Sequence, residues 1–312
     1  MGISSSLFQE KYMIPVGTMV NVKTGAADYM RKIAPLGFEC CQIFFGDNAM
    51  TINDFPALAG DIRETARACG MSVSCLGIYG NPLENDDAAH AARKSWELCI
   101  DHAVDFGCDL VCGFAGRLTD KPIPESIPRF KSVFGDLAAR AKERKVRLAF
   151  ENCPMGGDWK RGSWNIAINP AAWELIFAAL PADNVGLEWE PAHQLLQLMD
   201  PVRQLREWAP KVFHVHGKDG NINHDLLARH GTRSDRTFFQ PRFPGFGDSD
   251  WRQIITILQT CKYQGAIDIE GWHDPVYRDD LEMTGQVHAL RYMKQCRGGE
   301  FITNPCHSES GL

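Results

Sequence analysis

Four short runs from residue 150 onward carry side chains that move protons or hold metals: Phe150-Glu151-Asn152, Trp189-Glu190-Pro191-Ala192-His193, His214-Val215-His216 and Ile269-Glu270-Gly271-Trp272-His273. Brought together in a low-dielectric pocket, Glu151, Glu190 and Glu270 would repel one another unless protons stay bound or a cation neutralises them. A divalent metal is the simplest neutraliser, with the imidazole of His216 as a fourth ligand. This oxygen-rich set suits Mn2+ first, with Mg2+, Co2+ or Zn2+ as alternatives, and fits them better than it fits structural zinc, which prefers sulfur and nitrogen. Four protein ligands on an ion that accepts about six leave room for two substrate oxygens, such as those of a hydroxy-ketone. The chemistry that follows is proton abstraction next to a carbonyl.

These residues need strands to aim them. Apolar runs alternate with helix-period segments along the whole chain, the pattern of βαβ units around a parallel sheet. Strands are predicted at Met13 to Val20, Cys40 to Phe45, Ser72 to Ile78, Leu110 to Phe114, Arg147 to Glu151, Val185 to Glu190, Val212 to His216 and Ala266 to Glu270. Helices are predicted at Ala88 to Phe106, Ser126 to Arg144, Ala171 to Leu180 and Asp250 to Cys261, where apolar residues recur three and four apart. The expected fold is α/β, a single-domain (β/α)8 TIM barrel over residues 12–296, with an N-terminal arm at 1–11 and an extended polar tail at 297–312. Catalytic groups in such a barrel sit at the C-terminal ends of strands, where the four runs fall. Side chains alternate along a strand, so Glu188 with Glu190, His214 with His216, and Asp268 with Glu270 share faces, and Glu188 competes with Glu190 as the strand-six ligand.

The rival fold, a doubly wound open sheet, would carry a Gly-rich turn after its first strand; here Asn21-Val22-Lys23-Thr24-Gly25 offers neither GxGxxG nor a P-loop. Gly217 to Gly247 is long for a βα connection and reads as a functional loop over the barrel mouth. With 33 Lys+Arg against 39 Asp+Glu the net charge is -6, which argues against nucleic acid as a partner. No apolar run approaches a membrane span and no signal-peptide layout is present, so a cytoplasmic location is expected. The 11 cysteines lack CxxC spacing, which suits free thiols in a reducing compartment and argues against a zinc ribbon or a disulfide framework. Met1-Gly2-Ile3-Ser4-Ser5-Ser6 matches the myristoylation pattern, but so short a pattern arises by chance.

Several motifs together carry a family resemblance: Phe150-Glu151-Asn152-Cys153-Pro154, Val185 to His193, Phe213 to Asp219, Phe243-Pro244-Gly245-Phe246-Gly247 and Ile267-Asp268-Ile269-Glu270. From about Tyr12 to about Cys296 the chain resembles the sugar phosphate isomerase/epimerase family of xylose isomerase-like TIM barrels. The resemblance implies Glu151 as the first metal carboxylate, Glu190 at a position usually held by Asp, His216 as the imidazole ligand and Glu270 as the last carboxylate. It implies a metal-dependent keto-sugar isomerase or epimerase working through a metal-stabilised enediolate. Glu151 and Glu270 would exchange the proton from opposite sides, and His193 would orient a substrate oxygen. The alternative is a lyase that cleaves a 3-keto-glycoside, as a C- or O-deglycosidase would, by β-elimination. A sugar-binding barrel without catalysis is the third reading. Further substrate-contact candidates are His214, Lys218, Arg117 and Trp272, with Trp159 and Trp164 as stacking surfaces and His273 as either a general base or a partner that supports the ligands from behind. The expected partner is a small-molecule sugar, and the sequence leaves open a homo-oligomer or a partner subunit.

Overall fold

The computed structural model describes residues 13–299, so the Met1 to Ser6 pattern and most of the expected tail lie outside the described residues. Eight parallel strands close into a barrel: β1 (Val16–Asn21), β2 (Cys40–Phe44), β3 (Ser72–Ile78), β4 (Leu110–Gly113), β5 (Arg147–Glu151), β6 (Val185–Trp189), β7 (Val212–Gly217) and β10 (Ile267–Ile269). Their order around the barrel is β1-β10-β7-β6-β5-β4-β3-β2. The TIM barrel expected from the alternating pattern is the fold of the protein. Two strands were not foreseen. Within the long segment after β7, β8 (Asp219–Ile222) and β9 (Phe239–Arg242) form an antiparallel pair.

The ring of helices consists of α1 (Ala26–Ile33), α2 (Phe55–Cys69), α3 (Asp87–Phe106), α4 (Ile123–Glu143), α5 (Pro170–Ala179), α6 (Pro191–Leu196), α7 (Pro201–Trp208), α9 (Trp251–Thr260) and α10 (Glu282–Arg297), while α8 (His224–His230) lies between β8 and β9. Their starts are written in the sequence as side-chain caps. Asp54, Asp86, Asn169 and Asp250 each accept a backbone N–H from the first turn of α2, α3, α5 and α9. Each such cap is worth about 1 kcal/mol. Helix α4 starts ahead of the predicted Ser126 because Pro124 suits a first turn, where a missing N–H costs nothing. Between helices and strands the core is apolar and aromatic, with Phe134 and Phe150 packed edge to face at 4.7 Å.

Inside the barrel the filling is polar. Thr18, Gln42, Glu188, His214, His216 and Asp268 are all fully buried there, where bulky branched residues are the norm. At the opposite end from the strand C-termini, Glu39 fastens the structure. It accepts from Arg297 at 2.6 Å, Lys294 at 3.0 Å and the Val16 amide at 2.9 Å, joining β1 to α10. Arg297, expected at the start of the tail, is the last residue of α10. No helix among the described residues is long and apolar enough to cross a membrane.

Burial opposes ionisation of Glu39, but Arg297, the Val16 amide and Lys294 hold its carboxyl below the usual range. A carboxylate depressed in the folded state contributes stability above its unfolded value, lost as pH falls through the folded one. Glu39→Gln is therefore expected to cost about 1 kcal/mol near neutrality and less in acid. Urea titrations at both pH values check this, and an equal loss at both would refute the assignment.

Candidate active site

Glu151 ends β5, Glu190 follows β6 as the residue before α6, His216 lies in β7 and Glu270 follows β10. None of the four is more than 6% exposed, and their ligand atoms lie within 4.8 Å of one another. His216 Nδ1 sits 3.0 Å from Glu151 Oε1, 3.3 Å from Glu270 Oε2 and 3.7 Å from Glu190 Oε2. Asparagines set the backbone behind them. Asn152 accepts the Glu190 amide at 2.7 Å and donates to the Glu190 carbonyl at 2.9 Å. Asn165 donates to the carbonyls of Glu151 and Cys153.

Both carboxylate oxygens of Glu190 and Oε2 of Glu270 are buried without a well-aligned hydrogen bond among the described residues, their neighbours being imidazole nitrogens of His193 and His216 at 3.2–3.7 Å. Unsatisfied carboxylate oxygens in a dry space are costly, and their convergence with an imidazole nitrogen fits a hard divalent cation. Cationic side chains stand at the edge: Lys218 Nζ is 2.5 Å from Glu270 Oε1 and 3.9 Å from Glu190 Oε1, and His193 Nε2 is 3.2 Å from Glu190 Oε2. Burial pushes the Glu151 carboxyl up to about 7 while the His216 hydrogen bond pulls the other way. For Glu190 the balance reverses, because His193 and Lys218 outweigh burial and hold it well below the usual range. Burial disfavours a charged His216, yet Glu188 and the surrounding carboxylates keep its proton affinity well above normal.

The orientation of His216 separates Glu190 from Glu188. Nδ1 faces the three carboxylates, while Nε2 faces Gln42 Oε1 at 2.9 Å and Glu188 Oε1 at 3.0 Å. Glu188 thus lies behind the imidazole, in the position of the outer carboxylate that orients a metal-binding histidine. Tyr79 donates to Glu188 Oε2 at 2.8 Å. Gln42 and Tyr79 escaped the sequence reading; the available signal was one amide inside the otherwise apolar Cys40–Phe44 strand.

Above the cluster opens a cavity of about 440 Å3, walled by Phe44, Trp164, Phe239 and Trp272 with His193 and Lys218 among them. Phe44 and Trp272 meet edge to face at 4.9 Å. His273 also lines the cavity, and Phe239 and Pro241 of β9 place the long segment over the barrel mouth. Two expected substrate contacts are elsewhere. Arg117 is fully buried and spends its guanidinium on the carbonyls of Lys121, Asp158 and Trp159. His214 lies deeper in the barrel between Glu188 and Asp268, out of reach of the cavity, and Trp159 does not line it either. A larger surface groove beside α7 and α9, about 770 Å3, contains none of these groups.

Fold and site together define a barrel of the xylose isomerase-like class, and the chain belongs to that family: the xylose isomerase-like TIM barrel model matches residues 30–296. Among its relatives is the uncharacterised protein YfiH of Bacillus subtilis, 27% identical over 247 residues, 71% of this chain and 77% of that one. Inosose dehydratase of Lactiplantibacillus plantarum is 32% identical over 114 residues, 36% of this chain and 37% of that protein. The solved structure of D-psicose 3-epimerase with D-tagatose from Clostridium cellulolyticum H10 superposes with a TM-score of 0.69 at 14% identity, over 92% of this chain and 100% of that one. That likeness is one of fold.

After loading with Mn2+ and removal of excess metal, about one equivalent of manganese per chain is expected to remain. A Glu151→Ala/His216→Ala double variant should retain none. Elemental analysis decides, and equal manganese in both proteins would refute the assigned site.

Proposed function

We propose that the protein is a divalent-metal-dependent keto-sugar isomerase or epimerase. The observation that carries this reading is the convergence of Glu151, Glu190, Glu270 and His216, three of which, Glu151, Glu270 and His216, line an aromatic cavity while Glu190 is fully buried beside them. Glu151, Glu190, Glu270 and His216 Nδ1 would hold the ion, Mn2+ being the best match to these donors and Mg2+, Co2+ and Zn2+ also compatible. When bound, it supplies charge neutralisation for the carboxylates and Lewis acidity toward two adjacent substrate oxygens.

The chain's own groups handle the proton. Glu151, ionised, takes it from the carbon beside the substrate carbonyl and the C–H electron pair moves into an enediolate; Glu270, starting protonated, gives its proton from the other side, and exchange with solvent then resets both carboxyls. Return to the same carbon inverts it; return to the former carbonyl carbon, with the neighbouring hydroxyl proton passing to the carbonyl oxygen, isomerises the sugar. Lys218, on Glu270 Oε1, orients that carboxylate, and His193 at the cavity wall donates to a substrate oxygen. The tryptophan and phenylalanine rings stack on the sugar and exclude water. The substrate is a small-molecule sugar. The free cysteines among the described residues support a reducing, cytoplasmic setting.

The match to inosose dehydratase favours a second outcome of the same proton abstraction, elimination of a group β to the carbonyl. A 3-keto-glycoside would then lose its aglycone. Incubation in D2O with ketoses and 3-keto-glycosides, followed by NMR, tests both. Deuterium beside the carbonyl with an isomeric product is expected, and aglycone release would favour the lyase. Glu151→Gln and Glu270→Gln should each slow exchange by at least about 100-fold. Bound substrate without exchange above the Glu151→Gln level would overturn the enzyme reading for those sugars.

The segment from Gly217 to Gly247 closes over bound sugar in this scheme. Amide hydrogen exchange in β8, α8 and β9 should slow when a keto-sugar binds. Protection confined to the opposite barrel face would make the segment purely structural.

A further inference from the structure

Beneath the carboxylate cluster the barrel holds a second convergence of ligating groups, of which only Glu188 also touches the site above. Cys75 of β3, Cys112 of β4, Glu188 of β6 and His214 of β7 are each fully buried, and their ligand atoms lie within 4.8 Å of one another. We infer that these four residues form a structural zinc site inside the barrel.

The donor chemistry distinguishes it from the site above. Two thiols with one imidazole and one carboxylate are a soft, tetrahedral set, the kind that selects zinc over manganese or magnesium. Zinc bonds of about 2.3 Å to sulfur and about 2.0–2.1 Å to nitrogen and oxygen span a tetrahedron with edges of roughly 3.3–3.8 Å. The observed set, with all its ligand atoms within 4.8 Å of one another, is more open than that and contracts on binding in this proposal.

The surroundings are arranged as such a site requires. His214 Nε2 lies 2.8 Å from Asp268 Oδ2, so its N–H is taken by a carboxylate and Nδ1 is left to ligate, 3.0 Å from Glu188 Oε1. Asp268 is itself held by Cys40 and Ser74. Ala149 of β5 keeps its strand's contribution small beside the two thiols, and Leu110 and Phe213 pack against the same cluster and shut out water. On metal binding the thiol protons leave to solvent and both sulfurs ligate as thiolates. Glu188 reaches both centres, because its Oε1 is also 3.0 Å from Nε2 of His216.

This inference stands apart from the proposed reaction, and so does its test. The full chain, produced with zinc and freed of loosely held metal, should retain about one equivalent of zinc. Replacement by Co2+ should give a near-ultraviolet thiolate-to-cobalt charge-transfer band, which the oxygen-rich upper site cannot produce. The band should persist in Glu151→Gln and in Cys99→Ser, a buried cysteine outside the cluster, and vanish in a Cys75→Ser/Cys112→Ser double variant. The native protein alone suffices for refutation should the double variant fail to fold. Absence of both retained zinc and the band, a band that survives the double substitution, or a Cys75–Cys112 disulfide in the reduced-cell product would each overturn the site.

Discussion

Glu151, Glu190 and Glu270 concentrate negative charge where none of them is more than 6% exposed, and that arrangement persists only with opposing charge close at hand. Here the opposing charge comes from His216, Lys218 and His193, each within 4 Å of at least one of the carboxylates. The same electrostatic demand makes the cluster a good cation site. It also explains why the cationic groups are partnered rather than solvated: an unpaired charge in this space would cost more than any packing gain nearby could offset. The chemistry proposed for the site thus grows from the arrangement that makes the site expensive to bury.

That cost is spread downward through the barrel. Glu188 orients His216 and receives Gln42 and Tyr79; His214 connects Glu188 to Asp268; Asp268 receives Ser74 and Cys40. Buried polar networks are tolerable when their members are satisfied, and this one runs from the strand C-termini toward the opposite end. It also dictates a glycine. A Cβ at Gly17 would stand 2.2 Å from Asp268 Oδ1 and from the Cys40 carbonyl, so the polar layer closes only with hydrogen at that position. Outside the strands the apolar ring of helices supplies the stability that a polar interior forgoes.

The eight barrel strands were legible because their apolar runs are short, evenly alternate with helix-period segments and, for β3 and β5, match the predicted limits to the residue. The convergence of Glu151, Glu190, His216 and Glu270 was legible for a related reason. A carboxylate or imidazole at the end of a buried strand interrupts an apolar run, and barrel geometry sends every strand end to one face. Gln42 and Tyr79 were harder to see because a single amide or phenol on a strand has no spacing to betray it. Arg117 misled in the opposite direction: its position after β4 is right for an anion contact, but nearby loop carbonyls take its donors.

By itself, then, the sequence determined the barrel, its strand order in the chain, and that Glu151, Glu190, His216 and Glu270 come together, because these follow from local hydrophobic periodicity and from the rule that strand ends share a face. Tertiary structure alone decided depth. Strand parity places Glu188 and Glu190 on the same face, and only the closed barrel shows Glu190 on the Nδ1 side of His216 with Glu151 and Glu270, and Glu188 on its Nε2 side. Likewise His214 points inward as expected but one layer too low to meet a substrate. Cys75 and Cys112, distant in sequence and without a metal-binding spacing, become neighbours because β3 and β4 pair side by side. Alternation along a strand specifies which way a side chain points, whereas the stagger of strands in a closed barrel specifies which side chains share a level, and that stagger depends on all eight strands at once.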